Sequence, residues 1–182
     1  MNTVKIETAP SAWVGCLGCY NNGQLVGKWR EGSEEIADLE GAGLAKLETV
    51  GDYTAHRCVR CFSDEFMVFD FEGMLGLVSG ECSVSEAAAA AATVEEIERK
   101  GIDLDAAAAF ISDRHEWDLD SFEESYAGEW NSLEDYAQQL AEDTGAIDED
   151  ARWPHNCIDW ERAARELSYD YTLISGYLFR NN

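Results

Sequence analysis

Basic residues are scarce in this chain. It carries 13 Lys and Arg against 37 Asp and Glu in 182 residues, a formal net charge of −24. A surface of that sign repels nucleic acid and anionic membranes and favours basic partners. Long apolar runs are missing too. No stretch approaches the roughly 18–20 apolar residues of a membrane span, and the opening "MNTVKIETAP" has no apolar centre, so it does not read as a signal peptide. The default expectation is a cytoplasmic protein with no membrane and no nucleic acid among its partners. The common catalytic motifs are also absent: there is no phosphate loop, dinucleotide fingerprint, nucleophile elbow or His-Glu-x-x-His. The histidines, His56, His115 and His155, are scattered. "DLDSFEE" begins like a calcium loop at Asp118 and Asp120 but lacks the glycine and the closing Glu at the needed spacing. Glycosidase-type carboxylate pairs occur in any acid-rich chain and carry no specificity here.

Six cysteines are too few for a disulfide scaffold in a chain of this length, and a reducing compartment keeps them as thiols. Two Cys-x-x-Cys pairs, Cys16 with Cys19 and Cys58 with Cys61, form the strongest metal-like pattern. Zinc needs four thiolates converging on one point. The gap of 38 residues between the pairs exceeds the usual roughly 15–20. Cys16 and Cys19 also read as lying within a strand, where residues three apart point to opposite faces. The expectation is therefore no metal and no cofactor, with the thiols packed as small hydrophobes.

What the chain does have is material for a core: 46% hydrophobic and 11% aromatic residues, more than a disordered acidic tail carries. Residues 12–30 read as a hairpin around "NNG", whose residues supply the positive φ of a tight turn. Glu34–Leu47 reads as a helix weakened by Gly41 and Gly43. "YTAHRCVRC" and "EFMVFDFEG" read as strands, the latter alternating Phe66, Val68 and Asp70 against Met67, Phe69 and Phe71. Ser83 and Glu86 form a capping box before the alanine run of a helix ending near Gly101. A second helix starts at Asp103, with Leu104, Ala107, Ala108 and Ile111 on one face. "SYAGEW" reads as a strand and "SLEDYAQQLAEDTG" as a helix with a stripe of Leu133, Tyr136, Ala137 and Leu140. A loop with Pro154, the helix "DWERAARELS" and strands around Ser175-Gly176 close the chain. There is no internal repeat and no long linker.

The charge is uneven. Residues 1–80 hold 12 acids and 6 bases, residues 81–150 hold 21 and 3, and residues 151–182 hold 4 of each. Any one acid is best read as part of a solvated helix face, but solubility needs far fewer than the block holds. Duplex DNA carries one charge per ~1.7 Å, so the net 18 charges of the central block match about 31 Å of duplex. Seventy residues of helix and strand can span that length and imitate phosphate rows.

Four stretches together resemble one family. "YNNGQLVGKW" after "APSAWVGCLGC", then "EFMVFDFEG", "FEESYAGEWNSLEDYAQQLAEDTGA" and "CIDWERAARELSYDYTLISGYLFR" resemble, in order, the landmarks of the ArdA-type antirestriction proteins over residues 9–180. Phe69 stands where that family often has His, Cys19 replaces a small residue, and the region from Val50 to Asp64 is longer than usual. The resemblance implies an elongated α+β chain of three small domains: a sheet-plus-helix domain over 1–80, an acidic helical domain over 81–122 and a mixed C-terminal domain over 123–182. It implies a homodimer without enzymatic activity or cofactor. Such a dimer would mimic B-form DNA, occupy the groove of type I restriction–modification enzymes through their methyltransferase core, and protect incoming mobile DNA.

On that reading the phosphate surrogates are Glu86, Glu95, Glu96, Glu98, Asp103, Asp105, Asp113, Glu116, Asp118, Asp120, Glu123, Glu124, Glu129, Glu134, Asp135, Glu142 and Asp143. Tyr126, Trp130, Tyr136 and Leu140 would be the core beneath them. The competing expectation is a zinc-stabilised acidic adaptor for another basic DNA-binding protein, such as a nucleoid protein. A third, a hydrolase with paired carboxylates, requires a pocket of perturbed acids.

Overall fold

A computed structural model describes residues 9–147, 150, 152–153 and 156–181. Pro154 and His155, and most of the opening stretch, lie outside the described residues. The fold is α+β, with a sheet-and-helix start, a helical middle and a mixed C-terminal part. The chain forms two compact units that meet in sequence between Glu116 and Trp117.

The first unit is built on a four-stranded antiparallel sheet in the order β2-β1-β5-β6, with β1 at Ser11–Cys16, β2 at Gly27–Glu31, β5 at Phe66–Glu72 and β6 at Cys82–Ser83. Strands β1 and β2 pair as expected, from Ser11 opposite Glu31 to Gly15 opposite Gly27. Their connection is not a tight turn, however. A short helix, α1 (Leu17–Asn21), intervenes, and Gly23 takes the left-handed conformation just beyond it. Between β1 and β5 the register shifts, so that Trp13 faces Asp70 while Val14 faces Val68. Phe69 is the extra residue of this bulge, which resets the alternation. Phe66, Val68 and Phe71 therefore reach the core, and exposed Asp70 does not. Phe69 meets Trp13 and Tyr20 with ring centroids 5.6 and 4.7 Å apart.

The helix expected over Glu34–Leu47 is cut short. Helix α2 spans only Gly32–Ala37. Asp38 then accepts the Gly41 N–H at 2.8 Å, and Gly43 turns the chain at φ +68. Residues from Ala45 onward become strand β3 (Ala45–Val50), which pairs only with β4 (Tyr53–Cys58) as a separate two-stranded arm. The two glycines stop the helix instead of merely weakening it, and the β-branched residues after them find a partner strand.

Helix α3 (Val84–Arg99) has the expected capping box: Ser83 accepts the Glu86 N–H and Glu86 accepts the Ser83 N–H. Its small residues Ala87, Ala90 and Ala91 let it approach the sheet and α2 in one core with Val14, Ile36, Leu44 and Val68. Helix α2 lacks a side-chain cap of its own. Glu95 of α3 supplies one, accepting from the Ser33 N–H at 2.7 Å and the Ser33 hydroxyl at 2.6 Å, where the positive end of the helix dipole favours a carboxylate. Helix α4 (Leu104–Arg114) starts at the Asp103 cap. It buries Ala106, Ala107, Ala109, Phe110 and Ile111. Leu104 and Ala108 are only half-buried, so the buried face is wider than the expected stripe and is centred on Phe110.

The second unit holds a three-stranded antiparallel sheet, β7-β9-β8, from Tyr126–Glu129, Tyr177–Arg180 and Tyr171–Ile174. Ser175 and Gly176 form the β8–β9 turn, both at positive φ. Helix α5 (Leu119–Ser125) lays Phe122 against Tyr126 and Phe179, with centroids 5.1 and 6.1 Å away. Helices α6 (Leu133–Asp143) and α7 (Trp160–Leu167) pack together, and Tyr136 meets both Trp130 and Tyr171 edge-on. Tyr126, Trp130, Tyr136 and Leu140 are half-buried; the fully covered centre is Phe122, Tyr177, Leu178 and Phe179. Arg180 donates to the Tyr171 hydroxyl at 3.2 Å.

Candidate functional site

The two Cys-x-x-Cys pairs converge. The sulfurs of Cys16, Cys19, Cys58 and Cys61 all lie within 4.8 Å of one another. Cys16 Sγ is 3.4 Å from Cys61 Sγ, and Cys19 Sγ is 3.8 Å from Cys58 Sγ. A tetrahedral zinc site with bonds of about 2.3 Å sets its sulfurs at about 3.8 Å by simple geometry. The expectation that Cys16 and Cys19 face opposite sides of a strand is corrected here. Strand β1 ends at Cys16, which is the cap of α1, and the helical turn brings Cys19 back to the same side.

Each pair forms the same kind of turn. The Cys19 N–H points at Cys16 Sγ at 3.4 Å, and the Arg60 N–H points at Cys58 Sγ at 3.4 Å. After Cys61 the chain reverses through Phe62 at φ +60, whose N–H bonds to the Cys58 carbonyl at 3.0 Å. Gly18 permits the second turn to close over the first: a Cβ there would lie 2.7 Å from Ser63 Cβ and 3.3 Å from Cys61 Sγ. Cys16, Cys19 and Cys58 are buried together with Val26 and Phe66, while Cys61 is exposed. Burial pushes the Cys16 thiol up to about 11 and Cys19 well above the thiol range. Burial also opposes ionisation of Cys58, but the N–H groups of Cys61 and Arg60 outweigh it and bring this thiol down to about 7. The 38-residue gap that argued against a metal is filled by β2, α2 and the β3–β4 arm, which return the chain to where it left.

The acids singled out from the sequence sit on both units, and all but Glu95 and Asp105 are exposed. Several have internal employment. Glu86, Asp103 and Asp118 cap helices α3, α4 and α5. Glu95 caps α2. Glu96 pairs with Lys100 at 3.9 Å, Asp113 with Arg114 at 3.1 Å, and Gln138 and Gln139 donate to Glu142 and Asp143. Among the described residues, the carboxylates of Glu98, Asp120, Glu123, Glu124, Glu129 and Glu134 have neither an ion pair nor a hydrogen bond, and all six face water. Asp105, Glu116 and Asp135 complete the set, half-buried in the first case and exposed in the others. The Ser83 hydroxyl and N–H hold Glu86 below the usual carboxylate range, and Ser121 does the same for Asp118.

The first unit thus holds a four-thiol centre, and both units carry outward carboxylates. The chain matches the antirestriction protein (ArdA) family over residues 12–179, and it belongs to that family. No curated protein matches it. Proteins of this family are antirestriction factors that act generally on type I restriction–modification enzymes; they are not enzymes, and neither is this chain. No helix among the described residues is long and apolar enough to cross a membrane.

Proposed function

We propose that this antirestriction chain is an acidic adaptor: its exposed carboxylates bind a basic DNA-binding protein, while the four-cysteine centre steadies the first unit. The observation that carries this reading is the convergence of four sulfurs within 4.8 Å, a built site with no place in a surface made only of charge. The acids supply the binding. Exposed charges attract a basic groove at range, speed the encounter and lose strength as salt screens them.

A second reading is favoured by the family match. There the basic partner is the methyltransferase core of a type I restriction–modification enzyme, and the outward carboxylates of a cytoplasmic homodimer stand in for phosphates in its DNA groove. Mobile DNA entering a cell would be protected in this way. A type I enzyme cleaving its DNA with this protein titrated in, set beside capture of a basic nucleoid protein on the immobilised chain, separates the two. Inhibition that weakens with salt and leaves the nucleoid protein uncaptured supports the DNA-mimic form. Capture without inhibition supports the adaptor form, and neither result at low salt rejects both.

A further inference from the structure

We infer that Cys16, Cys19, Cys58 and Cys61 bind one zinc ion, and that this ion clamps the β3–β4 arm to the end of strand β1 and the helical turn that follows it. The inference deepens the adaptor reading but rests on the four sulfurs alone, so zinc content and partner capture can fail independently.

The geometry selects a single ion. The sulfur–sulfur separations of 3.4 Å (Cys16 to Cys61) and 3.8 Å (Cys19 to Cys58) bracket the edge of a tetrahedron around one zinc and leave no room for a cluster of irons and sulfides. Four thiolates without an open position make a structural centre. A soft thiolate set suits zinc or a single iron. Zinc is assigned because a closed set of four cysteines is a common structural zinc centre, and metal analysis separates it from iron. Four thiolates around a divalent ion leave two negative charges. Arg60 lines the cleft over Cys19 and Cys61 together with Asn22 and Gln24, so a cation and two amides meet that charge.

The clamp follows from what holds the arm otherwise. Strands β3 and β4 pair only with each other, and an isolated two-stranded hairpin is marginal in water. The arm carries Leu47 and Tyr53 more than half exposed, so little apolar burial secures its far end. At its base, Cys58 closes β4 and Cys61 lies in the turn just after it. Joining these to Cys16 and Cys19 cross-links positions about 40 residues apart, and closing a loop of that length removes more unfolded-state entropy than closing a short one.

The test uses the full chain, purified without chelator from zinc-supplemented cells. Metal analysis and native mass spectrometry are expected to show one zinc per chain, with the cobalt-substituted protein giving tetrahedral thiolate bands. Hydrogen exchange with and without chelator reads the clamp: residues 45–58 should lose protection while residues 171–180 keep theirs. Cys61→Ser removes the exposed ligand with least damage to packing, and zinc affinity should fall by on the order of 100-fold or more, at or beyond the cost of losing a group that hydrogen-bonds to a ligand. Cys157→Ser, an exposed thiol outside the centre, should change nothing. Four thiols in a metal-free native chain, a Cys16–Cys61 disulfide, or iron in place of zinc would each overturn the assignment. Zinc bound with unchanged exchange over residues 45–58 on its removal would overturn the clamp.

Discussion

In the first unit, α3 and α4 bury Ala87, Ala90, Ala91, Ala106, Ala107 and Ala109. In the second unit, the large buried side chains are mostly rings, Phe122, Tyr171, Tyr177 and Phe179, with Leu178 among them. Small residues allow close approach of backbones, but each buried CH₂ contributes only about 0.8 kcal/mol, against roughly 1.5–3 for a whole Phe or Leu side chain. Besides the area of its larger side chains, such as Val14, Ile36, Val68, Ile97 and Phe110, the first unit uses specific devices. It has the Glu95 cap across two helices, the Ser83 capping box and the four-thiol centre. The second unit, only 66 residues long, relies on ring-on-ring contacts. The difference teaches that outward acids can be carried by two kinds of core, and that each kind fails in its own way.

The contrast breaks most visibly at the rings. Phe179→Ala should cost about 3–5 kcal/mol, because the side chain is 1% exposed and packs against both Phe122 and Tyr126. Denaturant melts should show the loss, and hydrogen exchange should confine it to residues 119–180. Exchange rising equally over residues 11–72 would mean that the two cores are not independent.

A smaller effect is expected at the glycine beneath the thiol centre. Gly18→Ala drives a Cβ to 2.7 Å from Ser63, and overpacking of this kind costs about 1–3 kcal/mol. Here the first unit should be the one to weaken, with the turn from Cys58 to Ser63 displaced. A melt identical to wild type would show that the two turns do not need their close approach. Ser83→Ala should cost about 1 kcal/mol by removing a helix cap, read as earlier fraying of α3 in exchange.

Acid should act on both units through their caps. Glu86 and Asp118 are ionised more easily folded than unfolded, because Ser83 and Ser121 donate to their carboxylates. Lowered folded values mean that their contribution is complete above the ordinary values of 4.5 and 3.8 and is lost as pH falls through the lower folded ones. Stability measured against pH should therefore decline below about pH 4.5. Glu86→Gln and Asp118→Asn should flatten that decline; variants with an unchanged acid limb would remove the caps as its cause.

The smallest effect concerns function. Glu129→Gln alone should shift inhibition or partner capture only slightly, since one exposed charge pair is worth roughly 0–1 kcal/mol. Replacing Glu98, Asp120, Glu123, Glu124, Glu129 and Glu134 together should weaken it progressively. If a single amide abolished binding while the melt was unchanged, a discrete site would replace the distributed surface.

Much of this was legible in the chain. Local chemistry set α3, α4 and α6: Ser83 with Glu86, Asp103 and Ser132 are caps whose partners lie two or three residues away. The β8–β9 turn was equally readable from Ser175-Gly176, because Gly176 takes the positive φ of a tight turn without steric cost. The α2 boundary was less so, since the strand that claims Ala45–Val50 is β4 and propensity does not register a partner strand. Asp70 and Phe71 exchanged faces for a similar reason, through a bulge at Phe69 that exists only in the pairing of β1 with β5.

By itself, then, the sequence determined the sign and density of the surface charge, the positions of the capped helices and the family to which the chain belongs. The convergence of four thiols was decided by tertiary structure. Whether Cys16 and Cys19 share a side depends on β1 ending where α1 begins, and whether Cys58 and Cys61 reach them depends on how 38 intervening residues fold back. Spacing in a sequence fixes contour length, but the distance between two sulfurs is fixed by the path between them.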